Sequence, residues 1–160
     1  MLGKVIAAAA LACALMPANA ELLTHKDLPL AVAKTIAETA IADCKARGYA
    51  VSVVVVDRAG DTLVAMRGDD SSPHTMENAP QGSTRHAASA SRRRLISKRV
   101  ADNDPLVRQQ VTLPNVIAID GGLPIKVGNE VIAGVGASGS PGVDEPCVQA
   151  GLDKVADQLK

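Results

Sequence analysis

The chain has 160 residues, 17 of them basic and 17 acidic, so its formal net charge is zero. That length is enough for one domain with a real core, and the balance leaves no overall field to hold nucleic acid or an anionic membrane. One Tyr, with no Phe and no Trp, argues against base-stacking platforms for single strands and leaves the core to Val, Ile, Leu and Ala.

Residues 1–20 read as a secretory signal peptide, outside the fold. Lys4 supplies the positive start, and Val5–Met16 is an apolar run shorter than a membrane span. Pro17 breaks that run before the A-x-A cleavage site Ala18-Asn19-Ala20. The mature chain then begins at Glu21, has no membrane span, and works in the periplasm or as a secreted protein. Two cysteines remain in it, Cys44 and Cys147. Export permits a disulfide, but both sit on apolar faces of predicted helices, so buried free thiols and a bridge both stay open.

Leu28, Val32, Ile36, Ala40 and Cys44 form one stripe of an amphipathic helix. Asp27 can cap its start and Gly48 suits its left-handed stop. The β-branched run Tyr49–Asp57 predicts a buried strand. Arg58-Ala59-Gly60-Asp61 predicts a turn, and Thr62–Arg67 an antiparallel return. A polar loop over Gly68–Pro73 leads to a mostly helical region, 74–110, broken near Asp102–Pro105. Three strands within Asn115–Ser138 follow, with turns at Asp120-Gly121-Gly122 and Gly128-Asn129. A last helix spans about Glu145–Leu159, with Val148, Leu152, Val155 and Leu159 inward and Pro146 in its first turn. Asp144 and Glu145 suit its amino end. The order α-β-β-α-(α)-β-β-β-α with short turns predicts an α+β fold, an antiparallel sheet with helices against it.

Gly134–Gly139 matches G-x-G-x-x-G literally, but a dinucleotide site needs a following strand and acidic residue, and one helix uses up the remaining chain. Two readings remain for these glycines. They permit close backbone approach at a strand edge, or their amides bind an anion such as a cofactor's propionate. His74 is the candidate ligand residue. It follows a polar loop and opens a helix, with Glu77 three residues on and on the same face. It can hold a metal ion with Glu77, bind haem iron axially, or simply cap the helix. His25 lies near the mature amino terminus. Met66 is a soft ligand in one reading and core in the other. The basic stretch Arg85–Arg99 reads as a solvated helix face, since charge balance and export both argue against nucleic acid.

The hairpin "VSVVVVDRAGDTLVAMRGD", then "PHTMENA", then "GGLPIKVGNEVIAGVGASGSPGVDEPCVQAGLDKV" together resemble the GlcG/HbpS family of small haem-binding proteins, some labelled haem-degrading. The resemblance covers nearly all of residues 22–160. It implies a profilin-like fold with a five-stranded antiparallel sheet, a homo-oligomer, and haem or a related tetrapyrrole as ligand. It also implies a sensor protein as a partner to look for. The resemblance supplies the ligand; our own reading of the residues then makes His74 the expected iron ligand, Glu77 its companion or the holder of a separate iron or other metal ion, and Gly136, Ser138 and Gly139 the expected propionate contacts. Two other functions stay open, a haem-degrading enzyme and a cofactor-free interaction module for a sensor kinase. No nucleophile or acid–base pair stands out for the enzyme.

The pattern departs from the family over Pro80–Ile96, "PQGSTRHAASASRRRLI", and resumes near Ser97. A plausible codon choice for Arg85–Arg94, read in another frame, gives Ala-Cys-Ser-Phe-Arg-Val-Pro-Ser-Ser, close to the family's usual stretch. We therefore hypothesise a compensated frameshift across this segment, in the gene or its reading. Pro80 and Gly82 would each weaken the helix there. Resequencing the gene and its close relatives is expected to find a pair of nearby insertions or deletions; a clean in-frame read in all of them rejects the idea.

Overall fold

The computed structural model describes residues 22–88, 98–110, 112 and 121–160. Helix α1 (Leu30–Ala46) is followed by the hairpin β1 (Ser52–Asp57) and β2 (Thr62–Arg67), then α2 (Thr75–Ala88) and α3 (Pro105–Gln110). A second hairpin, β3 (Gly122–Val127) and β4 (Glu130–Ser138), leads to α4 (Asp144–Lys154) and a 3-10 turn, Ala156–Gln158. All pairings are antiparallel, in the order β2-β1-β4-β3. The α+β class with an antiparallel sheet is as expected. Four strands are described rather than five; the one expected over Asn115–Asp120 lies outside the described residues.

Strand β1 explains the layering. Val53, Val54, Val55 and Val56 are all fully buried, which a strand achieves only when both faces of its sheet are covered. Successive side chains alternate. Val53 and Val55 join the main core with α1 and α4, whereas Val54 and Val56 pack with Ala79 of α2. The sheet is thus a middle layer, with α1 and α4 on one face and α2 on the other. Close packing of α1 on α4 depends on Gly151, where a Cβ would stand 2.5 Å from the Ile36 carbonyl oxygen.

The helix ends partly follow the sequence signals. Asp27 does not cap α1; the helix starts after Pro29, which is extended (φ −64°, ψ 141°) and caps with no side-chain hydrogen bond. At the other end Gly48 takes φ +86°. Its amide donates to the Lys45 carbonyl and the Tyr49 amide to that of Cys44, the paired bonds of a Schellman stop. The predicted break in the third quarter is real. Asn103 has φ 58°, and Asp104 accepts from the Leu106 amide at 2.9 Å, capping α3. Arg99 across the break, then that amide, hold the Asp104 carboxyl below the usual carboxylate range. The last helix is shorter than predicted, ending at Lys154, yet Val155 is still buried and Leu152 and Leu159 pack against the core. Pro80 sits inside α2 without ending it. Of the departing segment Pro80–Ile96, residues 89–96 lie outside the described residues.

Cys44 and Cys147 form a disulfide, with Cα atoms 5.4 Å apart. The two inward-facing helical positions meet where α1 ends and α4 begins, which resolves the choice left open by the sequence. The bridge spans 103 residues of chain, a loop whose closure in the unfolded state corresponds to about 4.7 kcal/mol in the chain-entropy description. Replacing Cys44 and Cys147 together by Ser is expected to lower unfolding stability by about 2–5 kcal/mol, measured by urea denaturation. Gly151→Ala should cost about 1–3 kcal/mol by forcing α1 and α4 apart; an unchanged urea midpoint would mean that the helices have slack there.

Candidate functional site

A cleft of about 690 Å³ opens at the end of the sheet where β1 begins and β4 ends. Three pieces of backbone wall it. The first is the turn after α1, with Tyr49 and Ala50; the second is the exit of β4, with Ser138, Gly139 and Gly142; the third is the entry to α2, with Asp70, His74 and Asn78. Asp144, the first residue of α4, closes the side next to β4.

The α2 wall is held by a buried group of hydroxyls. Ser52, Ser71 and Thr75 are each buried. Ser71 Oγ donates to the Gly68 carbonyl and Thr75 Oγ1 to that of Ser72. Those protons being spent, the 2.7 Å contact between Ser52 Oγ and Thr75 Oγ1 is made by the Ser52 proton. Arg67 donates from Nε to the Ser71 carbonyl at 2.9 Å. The first strand residue therefore fixes the first residue of α2, and His74 stands beside it. His74 itself is exposed; its carbonyl accepts the Glu77 and Asn78 amides. Its backbone thus serves the helix start while the residue lines the cleft.

The β4 wall is built by close approach. Gly139 has φ +132°, and a Cβ there would stand 2.4 Å from the Ala50 carbonyl oxygen. Gly136 lies deeper, buried and paired on both edges, with Val54 on one side and Gly122 on the other. Its backbone belongs to the ladder, so it is not available to a propionate, and Gly136 does not line the cleft. Just past Gly139 the chain supplies its own anion. Asp144 Oδ1 accepts from the Ser140 amide at 3.0 Å and the Ser140 hydroxyl at 2.7 Å. Of the five residues singled out, the structure brings His74, Ser138 and Gly139 to one cleft and leaves Gly136 and Glu77 out of its lining. Among the described residues no three of His, Cys, Asp and Glu converge to hold a metal ion. Met66 packs partly buried against the core.

Tyr49, Asn78, Asp70 and Asp144 carry no site signal in the sequence. Tyr49 is legible only as the chain's single aromatic residue; the others require the tertiary fold. Thr75→Val removes the acceptor of the Ser52 hydroxyl and should cost about 1–3 kcal/mol in urea unfolding. An unchanged midpoint would mean that the hydroxyl group does not hold the entry to α2.

Comparison with known proteins agrees with this architecture. The HbpS structure is 31% identical over 84% of this chain and 94% of its own, with a TM-score of 0.73. A double mutant of Streptomyces reticuli HbpS, with two glutamates changed to aspartate, is 30% identical, covering 89% and 98%, again at 0.73. Klebsiella pneumoniae ORFY is 26% identical over 89% and 98%, at 0.77. A PduOC–haem complex shares the fold at 22% identity, covering 80% and 94%, at 0.71. No curated protein sequence matches. The profile of the family described as haem degrading protein HbpS-like matches residues 28–153, and the chain belongs to that family.

Proposed function

We propose that this is an exported tetrapyrrole-binding protein that holds haem in the cleft, with His74 as the ligand to iron, and so sequesters or senses it. The observation that carries the proposal is an exposed imidazole in a cleft of ligand size, in a chain of a family described by haem. Cavities of about 300–1,000 Å³ take ligands of this class, and histidine is a standard axial ligand. Haem, when bound, supplies the visible absorption and the redox-active iron. The chain's residues supply the rest. His74 presents a ring nitrogen from a helix start fixed by Ser52 and Thr75. Gly139 lets the β4 wall approach Ala50 closely, and Ser138 offers a hydroxyl.

Asp144 lines the cleft next to β4 and Asp70 lines its α2 side, so a propionate directed at the β4 wall would meet the like charge of Asp144. The propionates instead leave the cleft elsewhere. Export is supported by the signal-peptide pattern in the sequence of residues 1–20 and by the Cys44–Cys147 disulfide, a bond that persists in oxidising compartments. A homo-oligomer belongs to the same proposal, and the exposed Leu30 and Leu106 offer apolar surface for it. A sensor protein is the expected partner. Among the described residues no helix is long and apolar enough to cross a membrane.

Titrating the mature protein with haemin should give a saturable Soret shift, and His74→Ala should remove or displace it. No saturable shift in the wild type rejects haem as ligand and favours a cofactor-free interaction module. A shift unaltered by His74→Ala rejects the site. The family description favours one second function, opening of the haem ring. Haem-loaded protein given a reductant and oxygen would then lose its Soret band and release product; a stable band leaves binding alone.

A further inference from the structure

The cleft does not end at Tyr49. A second hollow of about 540 Å³ adjoins it, and Gly48, Tyr49, Ala50 and Asp70 line both. Tyr49 stands at the junction, 38% exposed, and its place is fixed by the Schellman stop, through its amide bond to the Cys44 carbonyl. The two hollows differ in chemistry. The first carries the imidazole with two carboxylates, and its described lining has no Lys or Arg. The second carries Lys45 and Arg67 beside Asp69 and the shared Asp70.

We infer that the ligand of this site spans both hollows, lying across the ring of Tyr49, with its iron side toward His74 and its carboxylates at Lys45. The inference rests on the tetrapyrrole function proposed above and adds where the ligand's acidic edge goes. Charge sorts the two ends. Asp70 lines both hollows and so favours neither; the first adds Asp144 with no Lys or Arg in its described lining, whereas the second sets Lys45 and Arg67 beside Asp69, so a carboxylate finds cations there. Of these cations Arg67 is committed, donating from Nε and one Nη to the Ser71 carbonyl. Lys45 is different. It pairs with Asp69 at 3.4 Å, with the two side chains 72% and 86% exposed, and such surface pairs hold weakly. The Lys45 ammonium, on the last turn of α1, can exchange Asp69 for a ligand carboxylate at little cost. Asp69 and Asp70 both belong to this hollow, so Lys45 decides whether it admits an anion at all. Tyr49 supplies the flat apolar face on which a planar macrocycle rests.

The test compares haemin with its dimethyl ester, which keeps the ring and iron but loses both carboxylates. The wild type should bind haemin up to about fivefold more tightly than the ester, the upper end for one exposed ion pair. Lys45→Glu should abolish that preference by weakening haemin more than the ester. Tyr49→Ala should weaken both ligands, and Tyr49→Phe should restore both, since the ring and not the hydroxyl is used. A wild-type preference retained in Lys45→Glu, or Tyr49→Ala binding both ligands as the wild type does, overturns the spanning placement while the haem function stands. Absence of any saturable Soret shift in the wild type overturns the haem function itself, and this inference with it.

Discussion

Burial of β1 on both faces is the constraint from which the rest of the molecule follows. Four consecutive valines cannot all leave water unless one layer covers Val53 and Val55 and another covers Val54 and Val56. The α1–α4 pair supplies the first layer and α2 the second. Ser52, one residue before this run, lies on the α2 side by the same alternation. There a hydroxyl needs a partner, and Thr75 provides it. The entry of α2, and with it His74, is therefore set by the strand that makes the core.

The other two walls of the cleft are bound to each other by a covalent route. Cys44 lies in the last turn of α1, just before the Gly48–Ala50 wall, and Cys147 lies one turn into α4, just after the Gly139–Asp144 wall. Ser140 Oγ touches Cys44 Sγ at 3.3 Å and donates to Asp144 at 2.7 Å. The disulfide, the Ser140–Asp144 bonds and the close approach of Gly139 to Ala50 act on the same small region. A site whose walls come from three separate elements needs such bracing, because chain entropy otherwise favours their separation.

Much of the fold was legible in the chain. The alternating and continuous apolar runs gave both hairpins, and Gly48 gave the stop of α1, because φ above zero suits glycine. Asn103 and Asp104 mark the break that Asp102–Pro105 signalled. The failures were also physical. Asp27 looked like a cap, but the helix starts only after Pro29, without a side-chain cap. The last helix looked longer because Val155 and Leu159 continue its apolar spacing, which a 3-10 turn also satisfies in part. The glycines of Gly134–Gly139 looked alike in sequence, yet Gly136 is locked in the ladder and Gly139 forms a cleft wall. Periodicity cannot separate those two, since the difference is which strand lies alongside.

By itself the sequence determined the order of the described elements, their antiparallel pairing, His74 as the ligand candidate and the family. These depend on local backbone preference and on motifs carried in short stretches. Tertiary structure alone decided that Cys44 and Cys147 are joined, that Asp144 occupies the anion position beside Ser140, and that Tyr49 lines the cleft of His74 and the hollow of Lys45 alike. Each of those facts joins residues that local sequence patterns do not relate. Such meetings are set by how two layers close over one strand, a property of packing that no local pattern encodes.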